Sequence, residues 1–365
     1  MDLHLSPYHR RTRLPHALAL LYGLAIVYAS LQPFGVWVEP PPGTPFFLFA
    51  PWPSRWLRYD FTLNVIAYIP FGFFVALLPQ RATPAARVAL PGVVGFVLSF
   101  GMESLQMFLP LRVASVIDLI ANTTGALAGG ALGATLARSE GVKRTITTTR
   151  VRLFLPGHLG DFGIALFVLW LAAQVNPGIP LFSVTFDPEP GRLLAAASTP
   201  PESAAIVIEA AESAFQMLGV GLFLALLLRE RRYVGGAALL LVGAAALVKG
   251  IAAAVLLKPA AWENWLTPGV SLGVAAGSLL LSMAIWVPRP AQVTLAAVAL
   301  LSSLLATVFA PDLVYASAPI RLFNGPYGHL LNFNGLTHTV LLLWPAVASV
   351  FLLALAGRPG WGEPA

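Results

Sequence analysis

Long apolar stretches recur along the whole chain, and short polar turns separate them. One helix needs roughly 20 apolar residues to cross a bilayer core of about 30 Å, and the stretches are about that long. The pattern predicts ten membrane-spanning helices, near residues 15–37, 61–79, 88–109, 115–137, 157–176, 204–228, 233–257, 266–287, 291–310 and 338–356. We therefore expect an all-α polytopic membrane protein with about ten transmembrane helices.

Polar residues concentrate at one end of the third and fourth predicted helices. Glu103 and Gln106 end the third helix, Arg112 lies in the following turn, and Asp118 and Asn122 begin the fourth helix. Carboxylates and amides are costly inside hydrocarbon unless they are paired. The cluster is therefore the candidate functional site.

Small residues share a helical face with these polar side chains. Steps of three and four residues define one face on each helix: Gly92, Gly95, Ser99, Glu103 and Gln106 on the third, and Asp118, Asn122, Gly125, Gly129 and Gly133 on the fourth. Small residues at this spacing let transmembrane helices approach closely. We expect the two helices to pack along these faces, with Arg112 folding over both carboxylates as an ion pair or a fork.

Composition and charge agree with a membrane location. The chain is 57% hydrophobic and 10% charged, whereas a soluble domain is roughly a quarter charged. With the N-terminus inside, most of the 22 Lys and Arg residues fall in cytoplasmic turns, as the positive-inside rule requires. This predicts a multi-pass protein of the inner (plasma) membrane with both termini cytoplasmic, the polar cluster at the outer surface, and no nucleic-acid partner.

The sequence offers no conventional catalytic or metal chemistry. Cysteine is absent, which excludes disulfides and thiolate ligands. His329 and His338 are nine residues apart with no carboxylate between them, which is not metal-ligand spacing. We predict no cofactor, no metal and no catalytic triad.

A weak internal repeat organises the predicted helices. A gapless shift of 149 residues aligns Gly72 with Gly221 and Pro110 with Pro259, but it replaces every polar residue of the cluster in the second copy. This predicts a 4+4+2 arrangement: residues 1–140 as a four-helix membrane domain, 141–156 as a basic cytoplasmic linker, 157–288 as a second, polar-depleted four-helix repeat, and 289–365 as a C-terminal helix pair with an outer loop.

A purely structural interpretation of the cluster is also open. Ser115 to Asp118 matches a capping box at the start of a helix, so Asp118 could simply satisfy backbone donors. Asn122 could join two helices, and Arg112 could neutralise Glu103. In the second copy, Glu212 and Lys249 could neutralise each other in the same way, with a proton- or ion-linked role for Glu209 and Glu212 as the alternative.

The first part of the chain resembles the VanZ-like family. The matching motifs run from Tyr28 to Phe34 and from Asn64 to Gly72, and continue through these positions: Glu103, Gln106, Pro110, Arg112, Ser115, Asp118, Asn122, Gly125 and Gly129. The resemblance implies an integral membrane protein of the bacterial cell envelope. It also implies a link to resistance against glycopeptide antibiotics such as teicoplanin, and it adds Asn64 to the candidate site residues.

Three function classes follow from these patterns. The first is a membrane protein that binds a lipid head group, a cell-wall precursor or a lipophilic glycopeptide antibiotic through Arg112 and its neighbours. The second is an enzyme acting on a lipid-linked substrate, with Glu103 and Asp118 as an acid–base pair. The third is a secondary transporter, although the polar groups lie at one end of the helices rather than centrally.

Overall fold

The computed structural model describes residues 12–32, 34–52, 58–79, 81–184, 202–309, 323 and 327–358. The side chains of residues 59, 202–205, 306–309 and 327–332, among them that of His329, lie outside the described set. The described part contains eleven α-helices: α1 Leu14–Leu31, α2 Arg58–Ala76, α3 Pro84–Gln106, α4 Val116–Arg138, α5 Glu140–Leu153, α6 Gly157–Ala173, α7 Glu202–Leu227, α8 Val234–Leu256, α9 Pro268–Ala284, α10 Arg289–Phe309 and α11 Tyr327–Ala356.

Ten of these helices overlap the ten predicted apolar stretches, although α11 begins at Tyr327, eleven residues before the predicted start. Among the described residues, six helices are long and apolar enough to cross a membrane, and four further apolar helices are shorter. Helix α5 is the additional element, formed by the basic, Thr-rich segment that we expected to be a linker. Its residues are mostly exposed, and the chain divides close to it into two compact units, Met1–Val151 and Arg152–Ala365.

Helix α4 is the central element of the first unit, and its glycines face α2. A Cβ atom at Gly125 would lie 2.2 Å from the carbonyl oxygen of Val65, and one at Gly129 would lie 2.0 Å from that of Ile69. Glycine is required at these positions because the partner atoms are backbone and cannot move aside. The expectation that the α3 and α4 small-residue faces clasp each other is therefore wrong for α4, whose glycine face meets α2.

Helix α3 packs on another side of α4, and its own glycines make that contact. A Cβ at Gly95 would lie 2.4 Å from the Ala126 side chain, and one at Gly92 would lie 2.4 Å from that of Leu127. The start of α3 is also joined to the end of α2, because Arg87 donates a hydrogen bond of 2.7 Å to the carbonyl oxygen of Ala76. Helices α2 and α3 thus flank α4 and bring three helix ends together.

Helix α1 packs more loosely than α2, α3 and α4. Two of its residues, Ala19 and Ile26, are buried, and Tyr22 donates a hydrogen bond to the carbonyl oxygen of Ala67 on α2. After α1, an extended segment returns along the turn that follows α3, where the N–H of Val38 donates to the carbonyl oxygen of Phe108. This arrangement holds the C-terminal end of α1 beside the α3–α4 turn.

The second unit is built around α7, most of which is buried. Gly273 and Gly277 of α9 meet the backbone of α7 at Ala210 and Ala214, a close contact of the same kind as that between α4 and α2. Helices α10 and α11 cover other sides of the unit. A buried aromatic group that includes Trp170, Phe223 and Trp344 fills its interior.

Candidate functional site

The polar residues of the first unit meet at one end of the helices, beginning with Asp118 and Asn64. Asn64 of α2 donates a hydrogen bond of 2.8 Å from its Nδ2 to Oδ1 of Asp118, in the first turn of α4. A carboxylate in this turn also interacts favourably with the helix dipole. Asn64, which the family resemblance added to the candidate residues, is therefore hydrogen-bonded to Asp118, which the polar pattern predicted.

Glu103 binds the start of α4 from the neighbouring helix. The N–H of Ser115 donates to Oε2 of Glu103 at 2.8 Å, and the side chain of Ser115 accepts a hydrogen bond from the N–H of Ile117. In a capping box, the acidic side chain at the third helical position would accept from the N-cap N–H. Here Glu103 of α3 accepts from that donor, and Asp118 accepts from Asn64.

Asn122 joins α4 to α3 one turn further into the unit. Its Nδ2 donates to the hydroxyl oxygen of Ser99 at 3.0 Å, and both side chains are buried. The Oδ1 atom of Asn122 is buried without a hydrogen-bond partner among the described residues. Buried polar atoms are normally satisfied, so this oxygen can accept a hydrogen bond from a ligand or from water.

Gln106 and Arg112 both bind the C-terminal end of α1. Gln106 donates to the carbonyl oxygen of Ser30 at 2.8 Å. Arg112 donates from Nε to the carbonyl oxygen of Gln32 at 2.8 Å and from Nη2 to that of Ala29 at 2.5 Å. The last carbonyls of a helix lack intrahelical partners and carry the negative end of the dipole, so a guanidinium group stabilises them.

Arg112 therefore has different partners from those we expected. Its hydrogen bonds go to backbone carbonyls rather than to Glu103 or Asp118, so the predicted fork over two carboxylates is wrong. Both carboxylates still act on it through space: burial lowers the pKa of Arg112 from its ordinary value, and the negative charges of Glu103 and Asp118 oppose that shift. The half-buried guanidinium is the positive group of the cluster.

All six predicted site residues lie in this cluster, which we call the helix-end cluster: Asn64, Glu103, Gln106, Arg112, Asp118 and Asn122. Sequence reasoning missed the contribution of α1, which supplies only backbone carbonyls. Every residue has a backbone carbonyl group, so the sequence does not show which carbonyl groups bind a side chain. The Tyr28–Phe34 motif at the end of α1 was the one available signal.

An apolar groove adjoins the helix-end cluster. It has a volume of about 470 Å³ and lies between α1, Phe71 of α2, and α3, with Leu24 and Val97 among its lining residues. Its lining includes Val27, two residues before the Ala29 carbonyl that Arg112 binds, and Leu98, which precedes the Ser99 that binds Asn122. A polar cluster next to an apolar groove can accommodate an amphipathic molecule.

The second unit has polar contacts of its own, and they differ from our expectation. Glu212 accepts hydrogen bonds from Ser183 Oγ at 2.8 Å and from the N–H of Val184 at 2.6 Å. Lys249 donates to the carbonyl oxygens of Asn176 and Ile179, both at 2.8 Å. The predicted Glu212–Lys249 pair is therefore wrong, because each charge binds the buried loop after α6 instead.

This fold, with its apolar helices and a polar cluster at their ends, defines a multi-pass membrane protein. Residues 9–137 match the model of the VanZ/LLP1 family. The first part of the chain is thus a VanZ-like region, as the motifs from Tyr28 to Gly129 indicated. No curated protein and no solved structure matches the chain.

Proposed function

We propose that the VanZ-like first unit binds the polar head of an amphipathic envelope molecule at the helix-end cluster. The ligand is a membrane lipid, a lipid-linked cell-wall precursor or a lipophilic glycopeptide antibiotic, and its apolar chain occupies the groove between α1 and α3. The observation that carries this proposal is the position of that groove. Its lining includes Leu98, which precedes the Ser99 that binds Asn122, and Val27, two residues before the Ala29 carbonyl that Arg112 binds.

The chemistry of the cluster supports a head group with an anionic part and hydrogen-bonding groups. Arg112 is half-buried and positively charged, and a guanidinium suits phosphate and carboxylate groups. The free Oδ1 atom of Asn122 adds an acceptor for a hydroxyl or amide of the ligand. The remaining side chains position these two groups.

Binding is better supported than acid–base catalysis. Glu103 and Asp118 each accept a hydrogen bond from a protein donor, the N–H of Ser115 and the amide of Asn64 respectively. A general acid or base must exchange a proton with the substrate, whereas these carboxylates hold the helix ends together. An enzyme acting on a lipid-linked substrate therefore stays an alternative without a specific observation in its favour.

The orientation and the finer organisation are part of the same proposal. Both termini lie in the cytoplasm of a bacterium, the protein resides in its inner membrane, and the helix-end cluster lies at the outer surface. The positive-inside distribution supports this orientation. The recurring glycine contact between α9 and α7 supports the tandem repeat.

The test compares lipid binding by full-length variants purified in mild detergent. Arg112→Ala and Arg112→Gln should lose most of the co-purified amphipathic ligand seen by mass spectrometry, and Arg112→Gln tests the charge while retaining a donor for the α1 carbonyls. Arg87→Ala is the matched control, because Arg87 also binds a backbone carbonyl but at the opposite end of α3.

The same variants test a role in antibiotic tolerance. Cells that carry Arg112→Ala or Arg112→Gln should become more susceptible to teicoplanin than cells that carry Arg87→Ala, at equal protein levels. Unchanged lipid content and unchanged susceptibility in both Arg112 variants would refute a ligand-binding role for the cluster.

A further inference from the structure

Glu209 lies on the membrane-length helix α7 of the second unit and carries a buried carboxylate. Its exposed fraction is 3%, and neither Oε1 nor Oε2 has a hydrogen-bond partner among the described residues. By contrast, Glu212, one turn further along α7, accepts two hydrogen bonds. Glu209 is therefore the unsatisfied charge of this region.

A second unsatisfied oxygen lies on the same face of α7. Ser213, four residues after Glu209, is fully buried, and its Oγ has no partner among the described residues. A serine within a helix commonly donates to the carbonyl four residues earlier, as Ser104 and Ser278 do in this protein. The hydroxyl of Ser213 remains available instead.

Both side chains face α9. A Cβ at Gly269 would lie 2.3 Å from Oε2 of Glu209, and one at Gly273 would lie 2.6 Å from the Cβ of Ser213. The side chain of Thr267 lies beside the Glu209 carboxylate. The carboxyl and hydroxyl oxygens thus lie on adjacent turns at a single helix interface.

The helix contacts show how this position relates to the first unit. The corresponding backbone contacts are Val65–Gly125 and Ile69–Gly129 in the first unit, and Ala210–Gly273 and Ala214–Gly277 in the second. Helix α7 is thus offset from α2 by 145 positions and α9 from α4 by 148, rather than by the constant 149 of the sequence comparison. In this register Glu209 stands at the position of Asn64. Leu266 stands at the position of Asp118, the hydrogen-bond partner of Asn64.

The second unit is therefore not simply a polar-depleted copy. The amide that binds a carboxylate in the first unit is replaced by a carboxylate, and the partner position holds a leucine. An isolated ionised carboxylate in a low-dielectric interior is strongly unfavourable. A positively charged species at Glu209 removes that cost.

We propose that Glu209, together with the hydroxyl of Ser213, holds a monovalent cation, either a proton on the carboxyl group or a sodium ion. Carboxyl and hydroxyl oxygens suit both species. Lys249 does not neutralise this carboxylate, since its ammonium group binds the carbonyls of Asn176 and Ile179. This site is independent of the proposed ligand site in the first unit.

Labelling with dicyclohexylcarbodiimide tests the proposal on the full-length protein in detergent. This lipid-soluble reagent adds to a protonated carboxyl group: the proton moves to a carbodiimide nitrogen, the carboxyl oxygen bonds to the central carbon, and rearrangement leaves a stable N-acylurea. Mass spectrometry should find the label at Glu209 and not at the exposed Glu263. Labelling should fall about tenfold for each pH unit above its midpoint, as the protonated fraction does.

The salt used in the experiment distinguishes the two cations. If sodium binds, sodium chloride should reduce the labelling of Glu209 while equimolar choline chloride does not. If only a proton binds, the two salts should act alike. Labelling of Glu209 no greater than that of Glu263 at every pH and in both salts would overturn the proposal.

Glu209→Gln gives a second, independent measurement, because glutamine has the shape of a neutral carboxyl group. At low pH, or in sodium if sodium binds, its thermal unfolding temperature should match that of the natural protein. The variant should become the more stable of the two as pH rises or sodium is removed. A stability difference that is large under all these conditions would show an uncompensated charge and overturn the proposal.

Discussion

Replacement of Gly129 by alanine tests the contact that assembles the helix-end cluster. The added Cβ would lie 2.0 Å from the carbonyl oxygen of Ile69 and 2.7 Å from the backbone nitrogen of Phe73. Non-bonded heavy atoms sit about 3.5 Å apart in good contact. Helices α2 and α4 must therefore separate by about 1.5 Å at this point, because neither backbone atom can rotate away.

The cost of this separation follows from the packing. Inserting a methyl group into a well-packed interface costs about 1–3 kcal/mol, and the rigid backbone on both sides places Gly129→Ala at the upper end. The same movement would draw Asn64 away from Asp118, since these residues lie on the two separating helices. The variant should therefore lose thermal stability and ligand binding together.

Gly101→Ala is the matched control. Gly101 lies within α3, and a Cβ there meets no atom within 4 Å. Alanine in an open helical position stabilises by about 0.5–1 kcal/mol relative to glycine. Thermal unfolding of both purified variants should therefore shift in opposite directions relative to the natural protein.

A lower unfolding temperature for Gly129→Ala by about 5 °C or more would agree with this reasoning. Equal stability of the two alanine variants would refute it, because it would mean that α2 and α4 do not approach as closely at Gly129 as the structure has them.

Three further changes probe individual hydrogen bonds, each through thermal unfolding of the purified protein. Asn64→Ala removes the donor to Asp118 and should cost about 1–3 kcal/mol; a neutral result would mean that water replaces the amide. Ser115→Ala removes the N-cap of α4 and should cost about 0.5–2 kcal/mol. This loss should be smaller than the loss caused by Asn64→Ala. Lys249→Met leaves the carbonyls of Asn176 and Ile179 without their buried donor, at about 1–3 kcal/mol each. The exposed Lys258→Met should have almost no effect, and equal losses in the two lysine variants would contradict the role of Lys249.

The composition of the helix-end cluster was predictable from the sequence, because polar residues in an apolar stretch stand out by their cost. Glu103, Gln106, Asp118 and Asn122 were identified in this way, and the family motif added Asn64. Their pairing was not predictable. Asn64 is far from Asp118 along the chain, and the choice between Asn64 and the backbone as the partner of Asp118 depends on how close α2 lies to α4.

The spacing of the glycines predicted that α4 makes a close helix contact, but it did not predict which helix is the partner. A face of Gly125, Gly129 and Gly133 fits any neighbour that presents backbone, and α3 was the nearest helix in sequence. The structure brings α2 to this face instead. Sequence separation carries no information about which of two neighbouring helices fills a groove, since both belong to the same bundle.

The apolar helices, most of their approximate ends and the end at which polar groups gather could be predicted, because each of these depends on local hydrophobicity and helical period. The packing of the helices was needed to show that Arg112 binds the carbonyls of α1, that Glu103 accepts from the N–H of Ser115, and that Glu209 has no hydrogen-bond partner among the described residues. These contacts join backbone groups or distant helices. Backbone groups are the same in every residue, so their partners emerge only when the helices pack.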